Sequence, residues 1–83
     1  MLKIKDSVDL KELEKFGFTR CEPGEYYNVD EERNVSTKYI LWENGYGTMD
    51  IDEDTRKIWS ISSNYDVLFD LIQAGLVEKV EGE

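Results

Sequence analysis

The sequence predicts a small α+β fold, in which an antiparallel β-meander of about four strands carries two short helices on one face, with an extra terminal strand pair as an option. Three observations favour this class. Capped amphipathic segments lie near both ends of the chain. Between them, segments rich in β-branched and aromatic residues flank Asn44-Gly45, a strong hairpin signal. The length of 83 residues suits one domain over residues 1–83.

The first helix is predicted over residues 9–16. Asp9 is a favourable N-cap, and Glu12 stands three residues later, as in a capping box. Gly17 follows the last turn, where a residue without a Cβ atom readily adopts the left-handed conformation that ends a helix. Because this helix is short, it needs a sheet to pack against.

The second helix is predicted to have Ser63 as its N-cap and to end at Gly75, with the same type of stop. Leu2 and Ile4 alternate with lysines, which predicts a short edge strand, and residues 77–80 are expected to pair with it. The expected buried side of the second helix consists of Tyr65, Leu68, Phe69, Leu71 and Ile72.

The meander is predicted from four segments, which are residues 26–30, 37–43, 46–52 and 57–62. The two-residue hairpin turn would pair Ile40 with Met49. A three-residue turn over 54–56 would place Ile51 opposite Trp59. Because side chains alternate between the faces of a sheet, this register assigns to the core Tyr27, Val29, Ile40, Trp42, Met49, Ile51, Trp59 and Ile61.

The same register places tyrosines, aliphatic residues and two aspartates on the outer face of the sheet. Tyrosine is enriched at protein–protein interfaces, and carboxylates at the rim orient a basic partner. We therefore expect this face to bind a partner. Two alternatives stay open: residues 19–24 or the terminal strand cover the face, or a second copy covers it in a homodimer. The predicted partner-binding residues are Tyr26, Tyr39, Leu41, Tyr46, Asp50, Asp52 and Ile58.

Charge and hydropathy narrow the classes of partner. Acidic residues outnumber basic ones by 19 to 10, which gives a net charge of −9. Nucleic acids and anionic membranes carry the same sign, so direct binding to either is disfavoured, whereas a basic protein suits this charge. No apolar run approaches the roughly 20 residues of a membrane span. The first residues also lack the pattern of a signal peptide, so we expect a cytoplasmic protein.

The chemistry of the side chains argues against catalysis. The chain has no histidine and a single cysteine, Cys21, so the commonest general acid or base near neutral pH is missing. The acidic run over residues 50–54 alternates like a calcium loop. However, Thr55 and Ile61 occupy the positions where such a loop needs glycine and glutamate. We expect no enzymatic activity, no metal and no cofactor.

Two segments, VDLKELEKFGF over residues 8–18 and LFDLIQAGLVEKV over residues 68–80, resemble small acidic uncharacterised proteins of bacterial, phage and prophage genomes. The resemblance covers both ends of the chain and the spacing between them. It implies a short accessory protein, often of mobile elements, without an assigned reaction. It transfers no functional residue to this chain.

These observations favour a non-catalytic acidic protein-interaction module, and our interpretation is a phage or prophage accessory protein that binds and modulates a host protein. Two alternatives remain. One is a nucleic-acid mimic, whose carboxylates imitate the phosphates of a nucleic acid and so block a nucleic-acid-binding enzyme. Such a mimic needs its carboxylates in a continuous band on one face. The other is a small carboxylate- or metal-dependent enzyme that uses the acids of residues 50–54.

Overall fold

A computed structural model describes residues 1–25, 36–60 and 65–80, apart from the side chains of Tyr46, Ser60 and Tyr65. These residues form a small α+β fold with two antiparallel sheets and two helices, which confirms the predicted class. A 3₁₀ helix spans Leu10–Phe16 and helix α1 spans Tyr65–Gln73. The strands are β1 (Leu2–Ile4), β2 (Phe18–Cys21), β3 (Lys38–Glu43), β4 (Tyr46–Asp52), β5 (Ile58–Ser60) and β6 (Val77–Lys79).

The predicted terminal strand pair is present. Strands β1 and β6 are antiparallel, with Lys3 opposite Glu78. The Lys3 ammonium lies 3.1 Å from the Asp6 carboxylate and 3.6 Å from that of Glu78. These contacts, led by the hydrogen bond to Asp6, raise the pKa of Lys3 above its ordinary value. An isolated bridge from Lys3 to Lys57 connects this pair to β5, the last strand of the larger sheet.

The first helix lies where the caps predicted it, but it is a 3₁₀ helix. The Asp9 carboxylate accepts a hydrogen bond of 3.0 Å from the Lys11 amide, so it acts as the N-cap. The Glu12 carboxylate accepts a hydrogen bond of 2.9 Å from the Lys15 ammonium. Gly17 ends the helix in the left-handed conformation at φ 94°.

The end of α1 is also confirmed, whereas its predicted N-cap, Ser63, lies outside the described residues. Gly75 has φ 76°, and its amide donates to the Ile72 carbonyl at 3.0 Å. The Leu76 amide donates to the Leu71 carbonyl at 3.2 Å, which completes a Schellman motif. Leu71 is fully buried, as predicted.

The predicted burial of two other α1 residues is wrong. The exposed fractions of Phe69 and Ile72 are 59% and 47%. In a helix that lies on a core, only one stripe of side chains points inward. Here that stripe contains the buried Leu71 and the partly buried Val67 and Leu68, so Phe69 and Ile72 face outward.

The main core combines one face of the four-stranded sheet with side chains from β1 and from both helices. Its fully buried members come from four different elements, which ties the two sheets and the helices together. No helix among the residues described has the length and apolar character that a membrane crossing requires. The buried residues of this core are Ile4, Leu10, Leu13, Phe18, Tyr39, Leu41, Met49, Ile51, Ile58 and Leu71.

The larger sheet has the order β2-β3-β4-β5. Residues 26–30, predicted as its first strand, lie outside the described residues, as does the predicted core residue Ile61. The place beside β3 is taken by β2, which pairs Phe18 with Leu41 and Cys21 with Lys38. Residues 18–21 are thus an integral strand of the sheet.

The hairpin between β3 and β4 begins as predicted. Asn44 and Gly45 both have positive φ, 52° and 83°, and Trp42 lies opposite Gly47. The register then shifts, because Leu41 pairs with Met49 and leaves Thr48 as an extra residue of β4. Because of this bulge, Met49 lies on the same face as Leu41, whereas the prediction placed it on the same face as Ile40.

The connection from β4 to β5 differs from the prediction by one residue. The Asp52 amide donates to the Lys57 carbonyl at 3.2 Å, so the turn spans residues 53–56 and ends with Arg56 at φ 63°. Ile51 therefore lies opposite Ile58 and not opposite Trp59. Consequently Met49 and Ile51 were assigned correctly to the core, while the predicted faces of β3 and β5 were exchanged.

Candidate functional site

The structure separates the residues that were predicted to form one docking surface. Tyr39, Leu41 and Ile58 have exposed fractions of 4%, 7% and 9% and belong to the main core. Their predicted exposure is wrong, because the Thr48 bulge and the longer turn before β5 direct them inward. Burial also raises the pKa of Tyr39, which keeps its phenol neutral.

The remaining predicted residues lie elsewhere. Tyr26 falls outside the described residues, and Tyr46 begins β4, with a side chain outside the description. Asp50 and Asp52 alternate with the core residues of β4, so they are on the opposite face of the sheet. Asp50 is buried there, and Asp52 is partly buried.

That opposite face carries both tryptophans, and we call it the tryptophan face. The exposed fractions of Trp42 and Trp59 are 37% and 39%, so each indole is partly packed and partly in contact with solvent. Cys21 of β2 and Ile40 of β3 form a separate buried cluster on this face. The tryptophan face is defined by Cys21, Lys38, Ile40, Trp42, Gly47, Asp50, Asp52 and Trp59.

Pairing across the sheet positions the two indoles on either side of β4. Trp42 in β3 lies opposite Gly47, and Trp59 in β5 lies opposite Asp50. A Cβ atom added at Gly47 would lie 3.2 Å from Ile40 Cγ2 and 3.9 Å from Trp42 Cζ3. Glycine therefore avoids a tight contact with Ile40, whereas the distance to Trp42 is an ordinary van der Waals contact.

A buried ion pair closes one end of the tryptophan face. The Lys38 ammonium lies 3.2 Å from Asp52 Oδ2, and the side chains are only 4% and 14% exposed. The Ser36 hydroxyl donates to the same oxygen at 2.7 Å. Asp52 Oδ1 accepts the amides of Asp54 and Thr55 at 2.9 and 3.1 Å. Each oxygen of this carboxylate thus accepts two hydrogen bonds.

The environment of Asp52 decides what its carboxylate can do. Burial by itself would raise the pKa of Asp52. The hydrogen bonds from Ser36, from the Thr55 and Asp54 amides and from Lys38 outweigh burial and hold that pKa below its ordinary value. A general acid near neutral pH needs a raised pKa. Asp52 is therefore suited to holding the turn before β5, and its environment does not favour proton transfer.

A second charged cluster lies at the edge of the sheet. Arg20 in β2 contacts the carboxylates of Glu53 at 2.9 Å and Glu22 at 2.6 Å. The Arg20 hydrogen bond is the main reason that the pKa of Glu22 is lowered, and the Thr37 hydroxyl adds a bond of 3.0 Å. These groups are largely exposed and satisfy one another, so they hold β2 against the turn after β4.

The exposed carboxylates among the described residues are spread over several elements. Exposed acids occur on the 3₁₀ helix, after β2, at the end of β3, in the turn before β5, on α1 and on β6. Within the described ranges, no three or more metal-binding side chains lie close enough to hold a cation. Within the described ranges, the acids in contact with a cationic side chain include Asp6, Glu12, Glu22, Asp52, Glu53 and Glu78.

Comparisons with known proteins add no further assignment, since the chain matches no model of a protein family, no curated protein and no solved structure.

Sequence reasoning missed the tryptophan face as a candidate site. It placed both indoles in the core, and the two residues do share a face, but that face is the outer one. Gly47 within a strand was a usable signal, because an isolated glycine there often marks a bulge.

Proposed function

We propose that this chain is a non-catalytic acidic protein-interaction module of the cytoplasm that docks a basic protein through its tryptophan face. The observation that carries the proposal is the presence of two partly exposed tryptophans on one face of the four-stranded sheet. Tryptophan is among the residues most enriched at binding hot spots, where an indole gives a large contact area at a low entropic cost.

The core supports this use of the sheet. Leucines from the 3₁₀ helix and from α1 join the same core cluster as Tyr39 and Met49. We infer that both helices pack on the core side of the sheet, so the tryptophan side is the face available for a partner. Modulation would then occur by occlusion: the sheet covers a functional surface of the partner without changing it chemically.

Charge favours a basic partner over a second copy. A net charge of −9 steers a cationic protein toward this chain and repels another copy of it. The resemblance to small phage and prophage proteins is consistent with a host protein as the partner. In the part of the chain that the structure describes, no specific contact favours either alternative function, because the acids are spread over several elements and Asp52 has a lowered pKa.

Affinity capture with matched baits tests the proposal. The wild-type chain, the Trp42→Ala/Trp59→Ala variant and a Phe69→Ser/Ile72→Ser control would be immobilised and exposed to a lysate of the source cells. Quantitative mass spectrometry should find a basic protein that the wild type and the control retain and the tryptophan variant loses. Circular dichroism must first show that all three baits are folded.

Two outcomes would count against the proposal. In one, the tryptophan variant retains the same proteins in the same amounts as the wild type. In the other, the chain chemically modifies the protein that it captures, which would favour an enzyme. Loss of capture at 0.5 M salt, by contrast, is the expected sign of electrostatic steering.

A further inference from the structure

Helix α1 presents an apolar pair to solvent on the side that does not face the core. Phe69 is 59% exposed and Ile72 is 47% exposed, while Leu71 between them in sequence is fully buried. Residues three apart on a helix are neighbours on its surface, so the two side chains form one short stripe. Side chains in such a stripe can enter the grooves of another helix.

Acidic side chains flank this stripe. Asp66 lies one turn before Phe69, and Asp70 lies one turn after Asp66; both are exposed. The residues of α1 include no lysine and no arginine. Exposed apolar side chains within an anionic surface complement a partner whose apolar residues are bordered by cations.

We infer that the outer face of α1, formed by Asp66, Phe69, Asp70, Ile72 and Gln73, docks an amphipathic helix of another protein that carries lysine or arginine beside its apolar stripe. This surface is separate from the tryptophan face, so the inference does not depend on the proposed function. The partner helix would place apolar side chains over Phe69 and Ile72, and its cations would reach Asp66 and Asp70.

A second copy of this chain fits the same face poorly. Two α1 helices in contact would bring four aspartates together without a lysine or arginine from either helix to pair with them. The two chains would also each carry a net charge of −9. A basic helix avoids the repulsion between aspartates and covers the same apolar side chains.

A synthetic 18-residue helix with leucine on one face and lysine on the rest is a suitable probe. Two control peptides accompany it: one with glutamate in place of lysine, and one with the same composition scrambled so that no stripe forms. Fluorescence anisotropy of the labelled peptides measures affinity for the full chain. Amide chemical shifts map the contact. We expect the basic amphipathic peptide to bind and to shift residues 66–73.

Variants separate the contributions. Phe69→Ser/Ile72→Ser should weaken binding about tenfold or more, the scale of a lost hot spot. Asp66→Asn/Asp70→Asn should weaken it about threefold at low salt, an effect that 0.5 M salt removes. The Trp42→Ala/Trp59→Ala variant, on the other surface, should leave the affinity within twofold of wild type.

Several results would overturn the inference. Equal binding of the scrambled peptide would show charge attraction without a docking surface. Chemical shifts centred on β3–β5 would assign the peptide to the tryptophan face and leave the proposed function intact. A homodimer that the Phe69→Ser/Ile72→Ser variant abolishes, detected by sedimentation, would assign the face to a second copy. Unchanged affinity of this variant would exclude the face altogether.

Discussion

The Thr48 hydroxyl donates a hydrogen bond of 3.2 Å to the Leu41 carbonyl, across the bulge where β4 has one residue more than β3. Thr48 is buried, so this carbonyl has little access to water. The bond holds the shifted register that directs Leu41 toward the core and Trp42 away from it. One side chain thus helps to decide which face of the sheet carries the tryptophans.

Removing that hydroxyl should destabilise the chain. Thr48→Val keeps the shape of the side chain and leaves the Leu41 carbonyl without this donor, so we expect a loss of about 1 kcal/mol in the free energy of unfolding. Thr48→Ser retains a hydroxyl and should lose less. Urea unfolding of the three proteins measures the difference. Equal stability of the valine variant and the wild type would contradict a role for the bond.

The face assignment itself can be tested with neighbouring residues of β3. Leu41→Ser should cost about 3 kcal/mol or more, because Leu41 is in the main core. Trp42→Ser should cost about 1–2 kcal/mol, although it removes a larger side chain, since the indole is partly exposed already. Urea unfolding with both variants decides the matter. A larger loss at Trp42 than at Leu41 would restore the register predicted from the sequence.

The sequence was sufficient for features that depend on local chemistry. Caps predicted the ends of the helices at Asp9, Gly17 and Gly75, and positive φ at Asn44 and Gly45 followed from the residue types. The pairing of residues 77–80 with the first strand was expected and is compatible with the opposite charges on the two strands. Each of these features is determined by residues that are close in sequence or that carry opposite charge.

The faces of β3 and β5 could not be derived in the same way. Side chains alternate with a period of two, so one extra residue exchanges every inward side chain of a strand for an outward one. Thr48 is such a residue within β4, at the bulge opposite β3, and Glu53 is another, because it lengthens the turn before β5 from three residues to four. Both faces of β3 are rich in apolar residues, so hydrophobicity did not distinguish them. Tyr39, Leu41 and Ile58, which were predicted on the outer face, therefore lie in the core.

Arg56 joins the start of the chain to the turn before β5, and substitutions there should separate two effects. Its guanidinium Nη1 donates to the carbonyls of Lys5 and Val8, both at 2.7 Å, while its backbone has φ 63°. Arg56→Ala should lose about 2–3 kcal/mol of stability, because two partly buried carbonyls lose a charged donor. Arg56→Gly should recover about 1 kcal/mol of this loss, since glycine adopts positive φ without strain.

Urea unfolding at neutral pH measures both Arg56 variants against the wild type. If alanine and glycine are equally destabilising, the backbone conformation contributes nothing. If the alanine variant is as stable as the wild type, the two hydrogen bonds do not hold the N-terminal segment.

Acid should release the stabilisation that Asp52 provides. The pKa of Asp52 is lowered in the folded chain, so its contribution is present above its unfolded pKa of about 4 and is lost as the pH falls through the folded value. Asp52→Asn should therefore be about 2 kcal/mol less stable than wild type at pH 7, because Lys38 loses its partner. The gap should narrow steadily below pH 4.

The matched control for Asp52 is Asp54→Asn, an exposed acid of the same turn. Unfolding free energies from urea titrations between pH 3 and pH 7 give the difference from wild type for each variant. The control should differ little from wild type across this range. A constant gap for Asp52→Asn down to pH 3 would show that its effect is one of packing and does not come from the charge.

Quenching of tryptophan fluorescence tests the electrostatic environment of the tryptophan face without a partner. In the single-tryptophan variants Trp42→Phe and Trp59→Phe, the remaining indole is about two-fifths exposed, so neutral acrylamide should quench it measurably. The net charge of −9 concentrates cations at the surface and excludes anions. Caesium should therefore quench each indole more strongly than iodide does, relative to a neutral tryptophan amide in the same salt. The preference should fade as sodium chloride screens the field. Equal quenching by the two ions would mean that the face carries no anionic potential. Weak quenching by acrylamide would show that the indoles are buried.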